Sequence, residues 1–179
     1  MNDWNVVVTI QQGHFPEAIQ FLETIGHVSK TDYFNVLVMN VDDIGQFLQD
    51  FSKAIEAVPE MENVISRVLP ATVSFDFQMP AEFEEQVTQA VEAWVPQLAG
   101  ASFHVRMHRR GFRGRLYSQN EEHLLDQFLK EKLDELGAIA RIDFDDPDFV
   151  IDIETVGQRA GVALWTREQR LRYPFLRVG

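Results

Sequence analysis

Two sets of apolar patterning, separated by a proline at residue 70, predict an α+β protein made of two consecutive modules. In the first set, runs with strand and helix periods follow one another as strand, helix, strand, strand, helix, strand. In the second, an alternating strand enters a loop rich in arginine and glycine, followed by a long helix and a hairpin. With 179 residues, 45% of them apolar, the chain has material for one large core or two small ones.

The elements follow in order. Val6, Val7, Val8 and Ile10 in Asn5–Ile10 read as a buried strand. Gly13-His14-Phe15-Pro16 opens a helix with proline in its first turn; Ala18, Ile19, Phe21, Leu22 and Ile25 give its apolar side, and Gly26 closes it. His27–Lys30 and Tyr33–Val41 read as two strands around a Thr31-Asp32 turn. Asp42 or Asp43 caps a helix whose Ile44, Phe47, Leu48, Phe51, Ile55 and Val58 fall at helical spacing until Pro59. Val64, Ile65, Val68 and Leu69 make a fourth strand. This β-α-β-β-α-β order is that of a ferredoxin-like unit over residues 1–70. Val73, Phe75 and Phe77 alternate with Ser74 and Asp76 in a linking strand over 71–79, and Pro80 opens a helix bearing Phe83, Val87, Ala90, Val91 and Trp94.

The second module, 80–179, centres on Ser102–Tyr117. Phe103, Val105 and Met107 alternate with His104, Arg106 and His108, after which Arg109, Arg110, Gly111, Phe112, Arg113, Gly114 and Arg115 abandon the pattern. Ser118-Gln119-Asn120-Glu121 has the spacing of a capping box, Leu124, Leu125, Phe128, Leu129, Leu133 and Leu136 form a helical stripe, and Gly137 is the stop. Ile139 and Ile142 suggest a short strand. Phe149, Ile151 and Ile153 alternate, turn at Val156-Gly157-Gln158, and return through Gly161–Trp165; the tail Thr166–Gly179 is basic.

The net charge of −12 is unevenly spread. Residues 1–100 hold three basic side chains (Lys30, Lys53, Arg67) against fifteen acidic ones, whereas residues 101–179 hold thirteen of each. Ten of those thirteen basic groups lie in 106–115 or 159–177. A protein acidic in sum can therefore offer one basic face, and the local field is what an anionic partner meets. Five arginines within ten residues at the mouth of a strand suit phosphate, because the planar guanidinium fork matches its oxygens. A solvated edge strand with a flexible loop is the bland alternative.

Catalytic signatures are missing from the sequence. It holds no cysteine, which excludes disulfides, thiolate chemistry and Cys-rich zinc sites, and suits a cytoplasmic location. Asp143, Asp145, Asp146 and Asp148 lack the glycine and terminal glutamate of a calcium loop and read as an acidic turn. His104 and His108 share a strand face about 13 Å apart, too far to chelate one ion, and read as polar surface beside the arginines. Glu84 and Glu85 have no partner carboxylate in prospect. Neither a dinucleotide loop nor a nucleophile elbow occurs. No run of about 18 apolar residues exists, and the first residues do not form a signal peptide. The expectation is a chain with no catalytic residue, cofactor, metal or membrane association. Gly111-Phe112-Arg113-Gly114 matches the GxxG of KH domains, but a KH loop joins two helices and a strand precedes this one.

Residues from about 80 to 176 resemble a THUMP domain, the RNA-binding module of tRNA-modifying enzymes. The resemblance rests on Phe-His-Val-Arg-Met-His-Arg-Arg-Gly ending in a basic loop, the leucine-striped helix, Asp146-Pro147-Asp148 feeding an alternating strand, and the return at Gly157–Leu164. The ferredoxin-like unit resembles the module that accompanies such domains. The resemblance implies binding to the acceptor stem and 3′ end of tRNA. The chain ends soon after Tyr173-Pro174-Phe175, most like the stand-alone THUMP proteins that act as tRNA adaptors for a cytidine acetyltransferase.

The expected contacts are Arg106, His108, Arg109, Arg110, Arg113 and Arg115 to phosphate, assisted by Arg167, Arg170 and Arg172 on the same face. Gly111 and Gly114 bring backbone amides close, and Phe112 stacks on an unpaired base. Two other readings stay open: a module whose arginines meet an acidic protein, and the RNA-binding half of a split modifying enzyme.

Overall fold

The computed structural model describes residues 3–178; the outer ends of the two expected modules, Met1 and Gly179, lie outside them. Strand β1 (Val6–Ile10), helix α1 (Phe15–Glu23), β2 (Val28–Lys30), β3 (Val36–Met39), α2 (Ile44–Ala57) and β4 (Ile65–Pro70) build the first sheet and its helices. The strand order β2-β3-β1-β4, antiparallel throughout, is that of a ferredoxin-like unit. Asp43 caps α2, its Oδ1 accepting from the Gln46 amide at 2.9 Å. The β2–β3 connection is longer than the expected two-residue turn, because β3 begins only at Val36 and Asn35 takes a left-handed φ of 57° to enter it.

The second sheet contains β5 (Val73–Asp76), β6 (Ser102–His108), β7 (Arg141–Ile142), β8 (Phe149–Val156) and β9 (Arg159–Thr166), in the order β5-β9-β8-β6-β7. Helices α3 (Pro80–Glu92), α4 (Val95–Leu98) and α5 (Ser118–Glu135) cover one face, and α6 (Arg167–Arg172) follows β9. Strands β7, β6 and β8 run parallel; β9 is antiparallel to β8, and β5 at the edge is antiparallel to β9. Val73–Asp76, expected as a linker, is thus the edge strand of this sheet.

Capping departs from expectation at α5. Ser118 lies inside the helix, Tyr117 is the N-cap, and no side chain caps the first amides. The box forms instead at α6, where Thr166 Oγ1 accepts from the Gln169 amide at 3.1 Å and Gln169 Oε1 accepts from the Thr166 amide at 2.9 Å. The other end of α5 is as expected: Gly137, at φ 68°, and Ala138 donate to Asp134 and Leu133, closing a Schellman turn.

The two sheets face each other with helices outside. Val6, Val8 and Ile10 pack on Phe21, Leu22, Phe47 and Phe51 of α1 and α2. Phe103, Val105 and Met107 pack on α3 and α5 through Phe83, Val87, Leu125 and Leu129. Between the sheets, Trp4, Val7, Val38 and Leu69 meet Ala163, Trp165, Tyr173 and Leu176. The approach is tight at Gly161, where a Cβ would stand 2.7 Å from Ala71 Cβ and 2.9 Å from the Trp4 ring. The tail after α6 returns to the first module, Phe175 lying 4.5 Å from Phe51 between ring centroids.

Candidate nucleic-acid interface

Strand β6 delivers the arginine-rich segment to the carboxyl end of the second sheet. On parallel strands this end is open for ligands, because the helices that follow begin there and turn their free amides outward. The loop is braced, not loose: the Arg110 amide donates to Thr155 O at 3.1 Å, and the Gly157 amide donates to Arg110 O at 2.8 Å. Gly111, at φ 97°, allows a three-way contact, since a Cβ there would lie 2.7 Å from the Tyr33 hydroxyl and 3.0 Å from Gly157 Cα. The β2–β3 loop of the first module, the basic loop and the β8–β9 turn therefore meet at one point.

The structure separates the arginines into three groups. Arg113 and Arg115 are exposed, and among the described residues neither has an ion pair. Arg109 is partly buried and its guanidinium turns back onto the Gly111 carbonyl. Arg106, also partly buried, sits beside Asp152 in the strand register.

Arg110 is a structural residue, contrary to the expectation of an exposed group. Its Nη1 donates to Glu154 Oε2 at 3.1 Å and its Nη2 to Thr9 Oγ1 at 2.9 Å. Arg67 of the first module takes the other oxygen, Nε to Glu154 Oε1 at 2.8 Å. Glu154, 1% exposed, is thus a buried carboxylate held by two guanidinium groups across the modules. His108 belongs to the same network: Arg67 Nη1 lies 3.0 Å from its Nε2, and since guanidinium can only donate, the imidazole accepts and is neutral. Burial, then the charges of Arg67, Arg110 and Arg106, push its pKa down to about 4. Burial, then Glu154, raises the Asp152 carboxyl well above the usual range. His104, expected at the surface, is 4% exposed; burial and then Arg106 and Arg170 lower its pKa.

Arg167 and Arg170 do not share the loop's face. β9 ends beside the start of β8, so α6 stands at the amino end of β6, roughly 20 Å along the strand from Arg109. There Arg167 pairs with Asp146 and Asp148, both at 3.0 Å, and Arg170 donates to the Trp165 and Pro147 carbonyls. Arg172 lies over the Tyr173 ring at 5.4 Å. The acidic turn is braced internally as well, Asp143 Oδ1 accepting from the Asp145 and Asp146 amides.

Phe112 is not a free stacking platform. Its ring packs 4.9 Å from Phe77 and lies under the Arg115 guanidinium at 5.0 Å, with the backbone held at φ 51°. A bulky side chain in that region is strained unless packing holds it, and here packing does. Gly114, at φ 78°, has open space around it. Sequence reasoning missed Thr9, Tyr33, Arg67 and Glu154. The one usable signal was that Lys30 and Arg67 are two of just three basic residues in the acidic half. Among the described residues, no cluster of three His, Asp or Glu is placed to hold a metal, and no helix is long and apolar enough to cross a membrane.

No family model and no curated protein matches the sequence. Solved structures do. PH1313 from Pyrococcus horikoshii Ot3 superposes with a TM-score of 0.59 at 11% identity, over 89% of this chain and 53% of that one. TrmN from Thermus thermophilus gives 0.56 at 15%, over 89% and 44%. A 4-thiouridine synthetase solved with RNA and ATP gives 0.50 at 14%, over 90% and 41%. The fold is that of a ferredoxin-like module followed by a THUMP-like α/β module. The chain spans about half the length of these structures or somewhat less. Within the second module, the segment from β6 to α5 carries the basic loop, and the ferredoxin-like module abuts it through Tyr33, Arg67 and Thr9.

Proposed function

We propose that the chain is a non-catalytic tRNA-binding protein that presents its RNA to a separate modifying enzyme, a cytidine acetyltransferase being one candidate. The observation that carries this reading is the exposed Arg113-Gly114-Arg115 segment beside the uncapped amides of α5. Two exposed cations that make no ion pair among the described residues, a glycine open to close approach and the positive end of an 18-residue helix together suit phosphate. The likeness in fold to a synthetase solved with RNA supports nucleic acid as the anion. On this reading Arg113 and Arg115 contact phosphate, Gly111 and Gly114 admit the backbone, Arg109 shapes the loop, and the acceptor stem and 3′ end are the part bound. Arg110, His108 and Phe112 support that surface from beneath. A second reading, the RNA-binding half of a larger or split modifying enzyme, is favoured by the partial coverage of the similar structures.

The test is titration of a tRNA transcript over a salt series. Each neutralised phosphate contributes a slope of roughly 0.7–0.9 in log affinity against log salt. Replacing Arg113 and Arg115 together lowers the slope by about 1–2 units while the fold persists. Tight binding with no salt dependence, or binding untouched by the double substitution, rejects the reading. An excess of absorbance at 260 nm in gently purified protein distinguishes bound RNA from an acidic protein.

A further inference from the structure

With Phe112 packed inside, base contact falls to whatever aromatic surface stands near the loop. Among the described residues, seven large apolar side chains are more than half exposed: Phe34, Met79, Tyr117, Leu136, Ile139, Phe144 and Leu171. Scattered exposed apolar groups are ordinary, so their positions matter more than their number. The last four lie toward the amino end of β6: Ile139 O accepts from Gly100 N, Phe144 packs on His104, and Leu171 is on α6. The first three lie at the carboxyl end with the basic loop.

Phe34 is the most exposed of these seven, at 77%, and belongs to the acidic first module. It occupies the β2–β3 loop next to Tyr33, whose hydroxyl packs against Gly111. That loop is well built. Thr31 Oγ1 accepts from the Tyr33 amide at 3.1 Å and donates to Val36 O at 3.0 Å, and Asn35 takes a left-handed φ. Such bracing holds Phe34 in solvent although burying an aromatic ring would be favourable. Lys30, at the end of β2, adds a positive charge to the same end, against the exposed Asp32.

We infer that Phe34 is a stacking platform for an unpaired nucleobase of the RNA whose phosphates lie on Arg113 and Arg115, with Lys30 facing the adjoining backbone. The inference rests on the proposed RNA-binding function and extends the site to the first module. The acidic remainder of that module disfavours RNA contact elsewhere on it. A planar ring accepts any base on its face, so the contact favours single-stranded over paired nucleotides without reading sequence.

The experiment uses the full chain and two probes, an RNA hairpin with an unpaired 3′ extension and the same hairpin blunt-ended. The wild-type chain binds the extended hairpin more tightly. Phe34→Ala weakens that complex about five- to a hundredfold, the range measured for loss of one base–aromatic stack, and leaves the blunt complex unchanged. Phe34→Trp restores the preference, and Lys30→Glu weakens both complexes. Because Phe34 is exposed, the melting temperature stays constant in all three variants. Equal affinity of the wild-type chain for both probes, or an unchanged preference in Phe34→Ala, overturns the inference. The RNA-binding function survives that outcome if Arg113→Ala/Arg115→Ala still lowers affinity for both probes. If the wild-type chain binds neither hairpin, both readings fall.

Discussion

Arg67 and Glu154, 87 positions apart, form an ion pair that joins the two modules. The carboxylate is almost wholly buried, and Arg110 occupies its second oxygen. Its desolvation is offset by fixed guanidinium groups, so removing a single member leaves uncompensated charge inside the interface. Glu154→Ala is therefore expected to destabilise the protein by about 3–5 kcal/mol, with Arg67→Ala next. Denaturant unfolding measures both, and a change within about 0.5 kcal/mol, typical of a surface site, would reject the assignment.

Arginines of one loop should divide by role. Arg110→Ala lowers the melting temperature because it strips a donor from Glu154 and Thr9. Arg113→Ala leaves the melting temperature in place, since an exposed arginine contributes little to stability, and lowers the salt slope of RNA binding. Thermal melts and a binding titration on the two single variants separate these effects. The reverse pattern would mean that the buried guanidinium is the functional one.

Two glycines of the loop offer a contrast in sterics. Both have positive φ, so alanine at either strains the backbone, by about 1–2 kcal/mol for a left-handed L-residue. Gly111→Ala must also displace the Tyr33 hydroxyl and crowd Gly157 Cα, whereas Gly114→Ala meets nothing. The first is expected to lose clearly more stability than the second, and to weaken the contact between modules. Equal losses would show that conformation alone matters at both positions.

Glu121, in the first turn of α5, has its carboxyl pushed up to about 7 by burial and then by the neighbouring Glu84. The folded state thus holds a proton that the unfolded chain releases near 4.5. Stability from this group is full below that value and is lost as pH rises toward about 7. Glu121→Gln, permanently neutral, should melt at a higher temperature than the wild-type chain at pH 8 and at a similar one at pH 4. Asp126, raised to about 6 by burial, titrates in the same window but is present in both proteins, so the difference between the two melting curves isolates Glu121.

Local pattern determined much of this protein. Apolar spacing set each long helix and strand, the order of elements implied the ferredoxin-like sheet, and Gly137 ended α5 where a left-handed residue was needed. These features depend on neighbours within a few residues, which periodicity and caps record directly. The use of the charges was decided by the tertiary structure. Arg110 and Arg113 are three residues apart in one loop, yet the first is bound to Glu154 and Thr9 while the second is exposed and makes no ion pair among the described residues. Asp152 and Glu154 alternate with Ile151 and Ile153 as solvent-facing residues would, and only the first sheet laid across them makes them buried. Ser118 has the spacing of a cap, but the chain enters α5 with Tyr117 at the N-cap, and Thr166 closes its box instead. Arg167 went to Asp146 and Asp148 because β9 ends beside β8's start, a register no local spacing encodes. Phe112, in the basic loop, is packed against Phe77, whereas Phe34, in the acidic half, stands in solvent. Burial and partnership depend on which distant surface arrives, and that is set by sheet pairing and packing over long separations.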